Sequence, residues 1–96
     1  MLNPETSISE SYLDRLLNDA DADTKIFWGK ELVTSFRLSS GFTVLGKAAC
    51  VDPENFQKEI GLEIARKDAL SQLWALEGYV LQLRLAGLIA DNRQES

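Results

Sequence analysis

Few side chains of this chain could carry out catalysis. Of its 96 residues none is a histidine, and Cys50 is the single cysteine. A histidine general base, a Ser-His-Asp triad, a Cys-His pair and a histidine-ligated metal site are therefore excluded. Because no partner base stands beside Cys50 in the sequence, we predict that it is a small core residue. We expect no enzymatic activity and no cofactor.

The acidic run in the first third of the chain has the spacing that opens a calcium loop. Asp19, Asp21 and Asp23 alternate with other residues, as the first ligands of such a loop do. However, Thr24 stands where the loop needs glycine, and Lys30 stands where it needs a bidentate glutamate. We therefore predict a solvated polar linker and no metal site.

Charges recur at helical spacing in the C-terminal half of the chain. On a helical wheel of residues 53–90, Glu59, Arg66, Glu77 and Arg84 share one seam. Such a seam is typical of salt bridges along a helix edge. The alternative is that Arg66 and Arg84 of neighbouring chains converge on a phosphate or on a partner's carboxylate. Because Glu77 has apolar neighbours, we expect it to be partly buried beside an arginine.

Two aromatic residues of the same segment complete the candidate set. Trp74 lies on an apolar face of the wheel, where core packing is favoured over a stacking platform for a base. Tyr79 lies near a polar seam, where an exposed or interfacial role is equally open. The candidate binding residues are Arg66, Trp74, Glu77, Tyr79 and Arg84.

The elements that would position these residues predict an α+β fold in a single domain of residues 1–96. Residues 1–8 are predicted to be a flexible terminus, and residues 9–18 a short helix capped by a serine. Strand-forming residues around a Ser-Ser-Gly turn predict a β-hairpin over 26–48, in which Ile-Phe-Trp at 26–28 extends the first strand or forms a third. An Asp-Pro pair begins a long helix predicted over 53–90.

That long helix is predicted to have two apolar faces instead of the usual single stripe. A continuous helix of ~38 residues would be ~57 Å long, too long for a compact domain of this size. Either the helix breaks near Gly78 and folds back, or a second chain packs along it, with Gly61 and Gly87 as sites of close crossing. We favour a homo-oligomer. One face comprises Phe56, Ile60, Ile64, Leu70, Trp74, Leu81, Leu85, Leu88 and Ile89, and the other comprises Leu62, Ala65, Ala69, Leu73, Leu76, Val80 and Leu83.

Composition excludes further classes of function. The formal net charge is −5 and hydrophobic residues make up 45% of the chain, which indicates a globular protein that polyanions would repel. We therefore expect no nucleic-acid partner. The N-terminus lacks the pattern of a signal peptide, and no apolar stretch approaches ~18 residues. We expect no membrane association and a cytosolic location.

Three strings of the sequence resemble a known family. They are GFTVLG from Gly41, ACVDPENF from Ala49 and LWALEGY from Leu73. Residues 32–86 resemble a family of small tailed-bacteriophage proteins, named after the gene-forty-nine and gene-sixty-six products of two enterobacterial podoviruses. The resemblance implies a small accessory protein in the cytoplasm of the infected bacterium, and no catalytic residues come with it.

Small accessory phage proteins commonly act by binding. The leading hypothesis is an accessory binding protein that inhibits or redirects a host protein, in host takeover or counter-defence. One alternative is an oligomeric sponge that sequesters an anionic nucleotide signal between chains. The other alternative is a structural or virion-associated protein.

Overall fold

A computed structural model describes residues 8–90 of the chain. The elements follow in the order α1 (Glu10–Asn18), β1 (Asp21–Phe27), β2 (Glu31–Arg37), β3 (Thr43–Ala49), a short 3-10 turn (Pro53–Asn55) and α2 (Lys58–Leu85). The predicted α+β class is confirmed. The predicted flexible terminus over 1–8 lies, apart from its last residue, outside the described part of the chain.

Helix α1 matches its prediction closely. Ser9 is the N-cap, and its Oγ accepts a hydrogen bond from the Tyr12 backbone N–H at 3.1 Å. This satisfies one of the N–H groups that every helix start leaves open. The apolar stripe of α1 faces inward, with Leu13 and Leu17 buried.

The sheet has three antiparallel strands in the order β1-β2-β3. The two-stranded alternative for residues 26–48 is therefore wrong, and so is the polar linker through Asp23, because β1 begins at Asp21. The sequence predicted a linker here because aspartate and alanine, the residues of Asp21–Asp23, rarely favour a strand. Their strand conformation comes from pairing with β2, in which Asp21 lies opposite Arg37 and is bridged to it at 2.9 Å.

Helix α2 is shorter than predicted and unbroken. Asp52 caps the 3-10 turn and not α2 itself, because Phe56 and Gln57 are extended and separate the two. The alternative of a break near Gly78 is wrong, since the helix runs through it to Leu85. Gly87 adopts φ +73° just past the end, and the Leu88 N–H donates to the Leu83 carbonyl. This is a Schellman motif, in which Gly87 ends the helix.

Close approach of α2 to the sheet places the core. A methyl group on Gly46 would overlap the backbone carbonyl of Ala65, so the helix lies directly on β3 there. The buried positions of the helix recur every four residues at Gly61, Ala65, Ala69 and Leu73. The main core cluster comprises Leu13, Leu17, Phe36, Leu38, Val44, Ala69 and Leu73.

The two predicted apolar faces of α2 differ in how far they are buried. The face with Ala65 and Ala69 is the one that packs on the sheet, a choice that the sequence analysis left open. The face opposite is largely open in the protomer, where Ile60, Ile64 and Leu85 are exposed. Leu81 of this face is nevertheless buried and Leu70 packs against the main core cluster, so the described chain covers the face only in part. Of the two solutions the sequence allowed, the folded-back hairpin is excluded, because the helix is continuous.

Candidate functional site

A groove lies where α2 passes the turn between β2 and β3. Its volume is about 280 Å³, and we refer to it as the turn groove. It is lined by Leu38, Ser40, Phe42, Leu73, Leu76, Glu77, Tyr79 and Val80. Two of the predicted binding residues, Glu77 and Tyr79, belong to it.

Local structure explains why this groove forms. In the turn between β2 and β3, the Gly41 N–H donates a hydrogen bond to the Leu38 carbonyl oxygen at 2.8 Å, and Gly41 has a φ of +92°. Glycine adopts that conformation without the steric cost of a side chain. The turn ends the sheet just below Leu73, whereas α2 continues for about three more turns. The sheet-facing side of those turns therefore has no strand beneath it.

Large apolar side chains line the groove and remain accessible. Phe42 is 55% exposed, Leu76 43% and Tyr79 66%. Polar groups are few: the Glu77 carboxylate, the Tyr79 hydroxyl and the Ser40 hydroxyl. An apolar concavity with a few polar groups is typical of binding sites. The turn groove suits an apolar side chain of a partner, with Glu77 as an acceptor.

Glu77 is held from the side of α1. The residue is half-buried, as predicted. Its Oε1 accepts a hydrogen bond from the Tyr12 hydroxyl at 3.4 Å, where an arginine partner was expected. Tyr12 is a donor that sequence reasoning did not identify, because it lies 65 positions away. The contact aligns the Glu77 carboxylate between α1 and the turn groove.

Arg66 serves the packing of α1 on α2. Its guanidinium donates to Asp14 Oδ1 at 3.0 Å and to Asn18 Oδ1 at 2.9 Å. The predicted seam of charges is thus in part the line along which α1 docks. The Asp14 carboxylate neutralises the Arg66 cation within the same chain, which weakens its case as a phosphate ligand.

The remaining predicted residues lie away from the turn groove. Trp74 is on the open face of α2 and is 41% exposed, so it is not the core residue that was favoured. Its neighbour Leu73 has the buried position instead, since the sheet meets that side of the helix. Arg84 is half-buried near the end of α2. It lies 18 positions from Arg66, or about 27 Å along the axis, so the two do not converge within one protomer.

A smaller groove of about 200 Å³ lies at the other end of the sheet, between the end of β3 and the start of α2. Cys50, Phe56 and Ile60 line it. Cys50 is half-buried there, where a core position was predicted, because β3 ends one residue earlier. The chain reverses at this point, and the Cys50 Sγ–H lies 3.2 Å from the Asp52 carbonyl oxygen.

Sequence reasoning identified two residues of the turn groove, Glu77 and Tyr79 on the helix, and missed the residues that the turn contributes. Leu38, Ser40 and Phe42 come from the turn, which was recognised only as a chain reversal. Phe42 did carry a signal, because a large aromatic residue directly after a Ser-Ser-Gly turn is unusual for a solvent loop. Only the packing of α2 over that turn brings the two halves together.

The fold and the groove define a small α+β protein in which one long helix lies across a three-stranded meander and overhangs its end. Comparison with known families is more specific. Residues 7–85 match the phage protein family described by N4 Gp49 and phage Sf6 gene 66, and the chain belongs to that family. The predicted resemblance is thereby confirmed. No curated protein and no solved structure shows significant similarity to the chain.

Within residues 8–90 no helix combines the length and the apolar character that crossing a bilayer demands.

Proposed function

We propose that this phage protein acts by binding a host protein through the turn groove, in the cytoplasm of the infected bacterium. Binding would inhibit or redirect the host protein, in takeover of the cell or in counter-defence. The protein would act as a non-catalytic ligand of its target.

The observation that carries this proposal is the convergence of Phe42, Leu76 and Tyr79 on one concave surface while each stays about half exposed or more. Exposing such groups to water costs free energy, at roughly 25 cal/mol for each Å² of apolar surface. Clustered apolar patches on a protein surface typically mark interaction sites. Aromatic residues at the centre of such a patch commonly contribute most of the binding energy.

Charge indicates the complementary surface on the partner. The chain carries a net charge of −5, and Glu77 lies at the groove wall. A partner with an apolar anchor and a basic or hydrogen-bond-donating rim would complement it. We therefore expect an anchor side chain such as leucine or phenylalanine, next to lysine or arginine.

The test is affinity capture of the tagged chain from its bacterial host, followed by native mass spectrometry. The wild type is expected to retain one host polypeptide at a fixed ratio. Leu76→Asp places a charge in the groove and Tyr79→Ala removes an aromatic wall, so each should reduce the captured amount at least about tenfold, a loss of ~1.4 kcal/mol.

Val51→Asp is the matched control. Val51 is 95% exposed and lies beyond the far end of β3, about 20 Å from the turn groove. It should bind as the wild type does. Equal capture by all four proteins would contradict the assignment of this surface.

The same mass spectra test the sponge alternative, and purified phage particles test the virion alternative. A bound mass of a few hundred daltons, with a matching rise in melting temperature, would support a nucleotide sponge, because ligand at 100 Kd adds ~2.7 kcal/mol. Presence of the protein in purified particles would support a virion role. The sponge needs converging arginines, and Arg66 is already engaged by Asp14 at 3.0 Å.

A further inference from the structure

The two outer edges of the sheet differ. At β3, helix α2 closes the edge: Asp68 Oδ2 accepts from the Lys47 backbone N–H at 3.0 Å, and Gln72 Nε2 donates to the Leu45 carbonyl at 2.7 Å. At β1, the residues from Asp21 to Phe27 pair with β2 on one side only, and six of the seven are exposed. The open edge of the sheet is β1.

Hydrogen-bond parity shows which groups of β1 point outward. In an antiparallel ladder only every second residue of a strand exchanges backbone hydrogen bonds with a given neighbouring strand. The backbone groups of Leu45 and Lys47 bond to α2, so the backbone groups of the even-numbered residues of β3 bond to β2. The bond from the Leu38 N–H to the Phe42 carbonyl at 2.9 Å has the same parity. The odd-numbered residues of β2 therefore bond to β1. By the register, the backbone groups of Ala22, Thr24 and Ile26 face away from the sheet.

We propose that β1 pairs antiparallel with β1 of a second copy, about a twofold axis at Thr24. Thr24 then lies opposite Thr24, and Ala22 lies opposite Ile26 of the second copy. All three outward-facing residues exchange backbone hydrogen bonds, and the two sheets become one of six strands. This inference is independent of the function proposed above, because it uses neither the turn groove nor a host partner.

Charge complementarity selects this partner and this register. With Thr24 on the axis, Asp23 of each copy lies opposite Lys25 of the other, in the narrow pairs where side chains are closest. If one β1 strand shifts along the other to the next register that keeps the hydrogen bonds, a shift in one direction places Asp23 opposite Asp23 of the second copy. A shift in the other direction places Lys25 opposite Lys25. Only the Thr24 register pairs both charges with opposite ones.

The apolar residue of the edge agrees with this pairing. Ile26 is 42% exposed on the face that carries the helices. Opposite Ala22 of the second copy it gains a small apolar neighbour on that face. Edge strands that stay single are commonly protected by charges or by proline. Here proline is absent from β1, and the charges alternate in sign so that the strand complements itself.

The first experiment measures mass in solution by light scattering after gel filtration. The wild type is expected at twice 10.7 kDa. Asp23→Lys and Lys25→Asp each convert two attractive pairs into repulsive ones, and each should raise the dimer dissociation constant about tenfold or more. The double variant restores opposite charges across the axis, so it should dimerise like the wild type. A double variant as monomeric as the single ones would overturn the register.

A second measurement tests the proposal even if the charge variants fail to fold. In the wild-type dimer, amide hydrogen exchange should be slow at Ala22, Thr24 and Ile26, which a free edge would leave unprotected. Ala22→Pro removes one outward N–H without breaking the β1–β2 ladder, as an edge strand tolerates, and should yield a folded monomer. A monomeric wild type at millimolar concentration, or a dimer in which these three amides exchange fast, would overturn the proposal. The latter would indicate a dimer through the open face of α2.

Discussion

At the residue scale, Gly46 decides how closely α2 can approach the sheet. An added Cβ would lie 2.8 Å from the Ala65 carbonyl carbon and closer still to its oxygen. These are backbone atoms in a helix, so they cannot move aside as a flexible side chain would. The small residues opposite, Ala65 and Ala69, are buried completely. Hydrogen is therefore the one side chain that this position accommodates without moving the helix.

Gly46→Ala is expected to lower the free energy of unfolding by about 3 kcal/mol, because overpacking of this kind forces a backbone shift. Urea unfolding followed by circular dichroism measures the change. Gly41→Ala makes a useful comparison, since a Cβ there meets nothing within 4 Å and the cost comes from its positive φ alone, about 1–2 kcal/mol. A loss at Gly46 below that at Gly41 would contradict the close-packing argument.

At the element scale, α2 is continuous where its sequence suggested a break. Gly78 has helical neighbours on both sides, and the chain continues to Leu85. A single glycine costs the helix about 1 kcal/mol relative to alanine, which is too little to end it. The buried contacts of Leu73 and Leu81 on either side outweigh that cost.

Gly78→Ala should therefore stabilise the protein by about 0.5–1 kcal/mol, because it lowers the conformational entropy of the unfolded chain and meets no neighbour within 4 Å. Thermal unfolding by calorimetry would show a rise in melting temperature of a few degrees. A decrease would mean that the helix does bend at this residue.

At the scale of the whole molecule, the protomer is elongated, with extents of 51 × 29 × 21 Å. The long helix sets the longest dimension, since 28 residues span about 42 Å. The turn groove lies at the overhang of α2 beyond the β2–β3 turn, whereas the edge offered by β1 lies along the other side of the sheet from β3. A twofold pairing through β1 leaves both turn grooves open.

The two proposals together predict a complex with two copies of this chain and two of the captured host polypeptide. Native mass spectrometry reads this stoichiometry directly. The Asp23→Lys variant should give a complex with one copy of each, at unchanged affinity for the host protein, since the groove is intact. Loss of capture in that variant would show that the two surfaces are not independent.

Much of the fold was accessible from local signals. The cap at Ser9 and the apolar stripe through Leu13 and Leu17 predicted α1 within a residue or two. The strand-formers of β2 and β3 and the turn at Gly41 predicted the central hairpin. The wheel of α2 placed Ala65 and Ala69 on a buried face. Each of these follows from residues close together in the chain.

What the sequence alone determined is therefore the class of fold, the family, and the presence of more apolar surface on α2 than one sheet can cover. Tertiary structure decided the rest. Asp21–Asp23 form a strand because they pair with β2. Arg66 binds Asp14 of α1. Phe42 and Tyr79 line the same groove because α2 extends beyond the turn. The physical reason is that such contacts join residues 12 to 52 positions apart, and no local periodicity or propensity encodes which of them will meet.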